Sequence, residues 1–165
     1  MLKEMLLREV EQEMAKTRTT LERVPDEQFG WKPHAKSPTL GWLATHVADV
    51  PGWGKYTLIT DTLDLTGMKP PDAAASKEAV LQRSDRNLDG MREVLGAATE
   101  ESLLAPWSLI MNGKTMFTMP KIEVLRTHVL NHMIHHRAQL GVYLRLNDVP
   151  VPALFGPSAD EGSFG

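Results

Sequence analysis

With 165 residues, 42% of them apolar and 24% charged, the chain has the size and composition of one soluble globular domain. Cysteine is absent, which excludes disulfides, thiolate metal sites and a cysteine nucleophile, and a thiol-free core suits a reducing cytoplasm. A formal net charge of −3 and a pI near 6.1 give no general attraction to nucleic acid or anionic lipid, and no signal-peptide h-region or membrane-length apolar run is found.

Leu2, Leu6, Val10, Met14, Thr17 and Leu21 recur at spacings of four and three with charged residues between them, which predicts an amphipathic helix. It should end near Val24, because the residue before Pro25 is pushed out of the α region. After a loop, Thr39 is placed to cap a second helix carrying Leu40, Leu43, Val47, Val50 and Leu58, with a kink expected at Pro51–Gly52. Asp72 or Ser76 can start a third, carrying Val80, Leu81, Leu88, Met91 and Leu95. Around residues 99–119 the period changes, and Asn112–Gly113 predicts a short hairpin or irregular excursion. Pro120 fits the first turn of a fourth helix of about 27 residues, roughly 40 Å long. The Pro- and Gly-rich tail from Asn147 reads as packed loop. Four helical patterns in one domain over 1–165 predict an all-α four-helix bundle.

Four of the six histidines, His128, His132, His135 and His136, fall on the fourth helix. On a wheel of about 100° per residue with His128 at zero, His132 lies near 40°, His136 near 80° and His135 near −20°. Leu125, Val129, Leu140 and Met133 run from about 60° to about 140° on the same wheel, so His136 is expected to point into the buried stripe with His132 on its flank. An i, i+4 histidine pair brings two imidazoles close enough to share a metal, as in H-E-x-x-H helices but without the glutamate. His46, on the inward face of the second helix, is the natural third ligand.

A single histidine on an apolar face is usually a hydrogen-bonded core residue, but three at metal-ligand spacing across two inward faces change the balance, so packing and metal binding both stand. As a metal set, three histidines match an open catalytic site better than a closed structural one. Imidazole suits Zn, Ni, Cu and Fe alike. Asp49, one turn after His46, is a candidate fourth ligand or water holder. His128 and His135 lie at the stripe edge, His34 carries no signal, and Arg137 reads as a bundle ion pair. Gly113–Lys114–Thr115 imitates the end of a phosphate loop, but its first glycine would fall at Ser108 and the turn explains it better. Trp31, Trp42, Trp53 and Trp107 fit either a pocket lining or core packing.

The string from His128 to Leu140, HVLNHMIHHRAQL, preceded by a helix reading Leu43-Ala44-Thr45-His46-Val47-Ala48-Asp49, resembles the DinB family of damage-inducible bacterial proteins. The resemblance in element order covers nearly the whole chain. It implies an up-down-down-up four-helix bundle, usually a homodimer, with a divalent metal (Zn, Ni, Mn or Fe) on the residues matching His46, His132 and His136. Ala138 departs from the glycine often found after the arginine, but both are small. Superfamily members include thiol-dependent transferases and isomerases and metal-dependent hydrolases. Lacking cysteine, this chain can do thiol chemistry only on a low-molecular-weight thiol brought in as co-substrate. The resemblance therefore implies a thiol-dependent S-transferase acting on a small molecule. The alternatives are a hydrolase using metal-activated water and a non-catalytic stress-related interaction bundle. A second apolar edge at Leu130, Ile134, Ala138 and Val142 offers a dimer surface, unless the first helix covers it within the monomer.

Overall fold

The structure, a computed structural model, describes residues 1–162; the last three residues of the expected tail, 163–165, lie outside them. Helix α1 spans Leu2–Leu21 and buries Leu6, Val10, Met14, Thr17 and Leu21, the stripe expected. It ends a turn before Pro25, and a single 3-10 turn at Asp26–Gln28 leads into the following loop. Helix α2 spans Leu40–Ile59; the Thr39 side chain accepts the Trp42 N–H at its start, and the helix runs through Pro51 without ending. Strand β1, Thr62–Asp64, opens the long connection to helix α3, Lys77–Ala97, which Ser76 rather than Asp72 caps.

A short helix α4, Glu100–Leu104, carries a Thr99–Ser102 capping box. It precedes the hairpin of β2, Pro106–Met111, and β3, Lys114–Pro120. Asn112 and Gly113 take φ of 51° and 70°, both positive as a two-residue type I′ turn demands. The expected excursion is therefore an ordered hairpin, and β1 joins it in parallel with β2 to give the order β1-β2-β3. This corrects the all-α expectation: the chain is mostly helical with a small three-stranded sheet. Three residues of β1 are too few to show an alternating pattern in the sequence.

The last rod starts at Lys121, with Pro120, expected in its first turn, instead ending β3 and standing at the N-cap. Helix α5, Lys121–Val124, runs into a wider π turn at Leu125–Leu130 and on into helix α6, Asn131–Leu146. Helix α2 packs against α3 and α6, and α1 packs against the same two. One apolar core fills the space between these rods, and a smaller cluster of Leu63, Trp107 and Val124 sits beneath the sheet. No helix among the described residues is long and apolar enough to cross a membrane.

Candidate metal centre

The contact between α2 and α6 brings His46, His132 and His136 together. Their ring nitrogens include one donor atom from each residue, all within 4.8 Å of one another. The Nε2 atoms of His46 and His132 are 3.1 Å apart, and ring centroids in the trio are separated by 4.6 to 5.1 Å. Among the described residues no other three His, Cys, Asp or Glu side chains gather in this way.

Two neighbours fix the rings. Trp42, one turn before His46, stacks on it at 5.0 Å with 17° between planes. Gln139 Oε1 lies 2.7 Å from His136 Nδ1. An amide oxygen only accepts, so Nδ1 carries the hydrogen and Nε2 keeps its lone pair. Burial pushes His46 down to about 4, helped by the charges that His136 and His132 would carry. Burial also lowers His132, reinforced by His136, and lowers His136 against the opposing effect of the hydrogen bond it donates to Gln139. All three are therefore neutral at pH 7, the form in which imidazole binds a metal.

The donor set fits a divalent ion. Two nitrogens at about 2.0–2.1 Å from a tetrahedral centre lie about 3.3 Å apart, close to the spacing of His46 and His132. Three neutral nitrogen ligands with an outer hydrogen-bonding partner on one of them match an open metal site, and these three histidines can hold a metal ion.

The histidines are half-buried at the edge of the core, whereas His136 was expected inside the stripe. The buried face of α6 is Met133, Arg137, Leu140, Tyr143 and Leu144. The π turn is the reason. Its wider winding rotates the residues before it relative to a uniform wheel, so Leu125 reaches the core without drawing the centre of the stripe toward His136.

The other singled-out residues fall outside the trio. His128 stacks on Phe117 of β3 at 4.5 Å, and His135 is exposed, edge-on to His136. Asp49 is not in the ligand set; its Oδ2 accepts from Arg83 Nη1 at 3.0 Å. Arg137 forms the ion pair expected of it, with Glu13 of α1. Trp107 packs beneath the sheet and Trp31 sits edge-on to Tyr143, while Trp42 and Trp53 line the cleft beside His46 and His132. That cleft has a volume of about 650 Å³ counting its open mouth, and Pro70 and Pro71 close one side. The loop bearing these prolines is pinned to α2 because buried Thr45 Oγ1 accepts the Ala74 N–H at 2.9 Å. Gln139, Arg83 and this loop were not anticipated. Only Gln139 left a readable signal, its i+3 spacing from His136.

No curated protein sequence matches the chain. Among solved structures, a DinB-like protein from Bacillus cereus ATCC 10987 superposes with a TM-score of 0.71 at 22% identity, over 91% of this chain and 95% of that one. The DinB-like protein YjoA from Bacillus subtilis gives 0.69 at 14% identity, over 90% and 96%. At these identities the likeness speaks for the fold. The sequence model of the DinB family matches residues 1–162, and the chain belongs to the DinB family.

Proposed function

We propose that the chain is a metal-dependent S-transferase that binds a divalent ion on His46, His132 and His136 and joins a low-molecular-weight thiol to a small electrophile. The observation that carries this reading is the neutral three-imidazole set beside an apolar cleft onto which His46 and His132 both open. Three protein ligands leave a coordination position for a further group. An ion held there supplies Lewis-acid activation of a sulfur or oxygen nucleophile.

The rest falls to the chain's own side chains. Trp42, Trp53, Pro70 and Pro71 give the cleft apolar walls that suit an uncharged organic electrophile. In the transfer a sulfur–carbon bond forms, the bond from that carbon to its leaving group breaks, and the leaving group departs with the electron pair. The thiol proton passes to solvent, because Asp49, the carboxylate on the same cleft wall, is held in an ion pair with Arg83. Asp49 favours a second reading, in which it holds a water that replaces the thiol and the product is that of hydrolysis. We extend the proposal to the architecture: an up-down-down-up bundle, the connection after α2 returning the chain to start α3, and a homodimer, as the family resemblance implies.

Cobalt-loaded protein separates the two chemistries. Adding small thiols should produce a thiolate-to-cobalt charge-transfer band, and His132→Ala should bind less cobalt and show no band. Retained cobalt with no response to any thiol would overturn the transferase in favour of the hydrolase. Wild-type protein that takes up no divalent metal would overturn both.

A further inference from the structure

The histidine trio is reached from two sides, and Trp42 stands between them. On one side lies the apolar cleft that shows His46 and His132. On the other, a wider groove of about 1290 Å³ shows His136 and Gln139, with Lys36 and Ser37 on its rim and Trp42 on its shared wall. We infer that this second groove binds the body of the co-substrate, and that Lys36 selects a thiol bearing an anionic group such as a carboxylate. The inference rests on the reading above that the co-substrate is a thiol.

A two-substrate transfer needs two approaches to one centre, so that neither partner has to leave for the other to enter. The openings differ in the chemistry they offer. In the apolar cleft the charges of Asp49 and Arg83 are spent on each other. The groove has no carboxylate among its lining residues, and Lys36 is its full cation. The lysines held in side-chain ion pairs are Lys16 and Lys121, which leaves Lys36 without a carboxylate among the described residues. A polar, anionic molecule therefore belongs in the groove and an uncharged one in the cleft.

Lys36 is also carried on a shaped loop. His34 Nδ1 accepts the Lys36 N–H at 3.1 Å, and the His34 carbonyl accepts the Ser37 N–H at 3.0 Å. The Pro38 carbonyl accepts from the Tyr143 hydroxyl of α6 at 3.4 Å, and Tyr143 packs edge-on to Trp31. The loop is thus tied to the same helix that carries His136, which holds the Lys36 backbone in one place relative to the trio.

The test uses full-length cobalt-loaded protein titrated with mercaptopropionate, mercaptoethanol and cysteamine, small thiols that differ mainly in charge. Affinity is read from the charge-transfer band for wild type, Lys36→Gln and Lys36→Glu, with a thermal melt to show that each variant is folded. Comparing each thiol between proteins removes differences in intrinsic thiol acidity. The expected result is that Lys36→Glu weakens mercaptopropionate by about tenfold, strengthens cysteamine and leaves mercaptoethanol unchanged, with Lys36→Gln intermediate. Equal effects of Lys36→Glu on all three thiols, or no effect on any, would overturn the charge selection while leaving the transferase reading intact. No band with any thiol on cobalt-loaded wild type would overturn both.

Discussion

The Trp42 indole lies face to face with the His46 imidazole, ring centroids 5.0 Å apart, and the same indole divides the two openings onto the histidine trio. The stack holds His46 in one orientation before any ion arrives. Aromatic pairs of this kind contribute about 0.5–1.5 kcal/mol beyond area burial. Trp42→Ala is therefore expected to weaken zinc binding by a factor of about 2 to 13, and Trp42→Phe to retain most of the affinity. Competition against a chelating dye measures both; an alanine variant with wild-type affinity would show that the stack does not orient the ligand.

Gln139 acts on His136 from the opposite side. Loss of an outer hydrogen bond to a metal-bound histidine typically costs 10–100-fold in affinity, and Gln139→Ala should fall in that range. Gln139→Glu should restore or exceed wild-type binding, because a carboxylate accepts the Nδ1 hydrogen more strongly. Gln139 is exposed, so the metal-free variant should keep its stability to within about 0.5 kcal/mol. A melt without metal beside a binding isotherm distinguishes the two effects.

The division between what could and could not be read from the residues follows their range. The stripe of α1, the Thr39 and Ser76 caps, the Asn112–Gly113 turn and the i, i+4 histidine pair are local patterns, and each is found in place. Placing His46 against that pair needed only the inward face of one more helix. The π turn was not legible, because its wider winding leaves no mark in a list of apolar positions, and it turns Leu125 and the residues before it relative to the α6 face that has His136 at its edge. Strand β1 pairs with residues 46 positions away, as Thr62 with Ser108, and its three residues carry no pattern of their own. Arg83 and the Pro70–Pro71 loop reach the cleft through tertiary contacts that no local spacing encodes.

Two glycines test how tightly the frame around the site is packed. A Cβ at Gly41 would run into the Phe29 ring and come within 3.1 Å of the Phe29 carbonyl oxygen, which already accepts the Gly41 N–H. The ring can shift, but the backbone is held, so Gly41→Ala should cost about 1–3 kcal/mol through overpacking at the start of α2. Gly96, near the end of α3, has nothing within 4 Å of the same added atom. Gly96→Ala should stabilise by about 0.4–1 kcal/mol by restricting the unfolded chain. Opposite signs in chemical denaturation are the expected outcome; a stabilising Gly41→Ala would mean that the loop before α2 is looser than its contacts indicate.

Arg137 follows His136 directly and anchors α6 to α1. Its Nη2 donates to Glu13 Oε2 at 2.6 Å, and its Nη1 donates to the Glu13 carbonyl at 2.9 Å and to Thr17 Oγ1 at 3.1 Å. With Arg137 only 2% exposed, Arg137→Ala leaves a buried carboxylate with Lys16 as its remaining cation and should cost about 3–5 kcal/mol. Replacing both partners, as Arg137→Met with Glu13→Leu, removes the charge and its desolvation together and should recover most of that loss. The pair also sets an acid limit. Burial acts to raise the Glu13 carboxyl, and the hydrogen bonds from Lys16 and Arg137 overcome it, so its pKa lies below the ordinary 4.5. A depressed folded-state pKa gives stability that is complete above the unfolded value and lost as pH falls below about 4.5. The wild type should therefore lose stability through this range more steeply than the double variant. Parallel acid curves for the two proteins would show that the Glu13 carboxylate contributes nothing to holding α6, and with it His132 and His136, against α1.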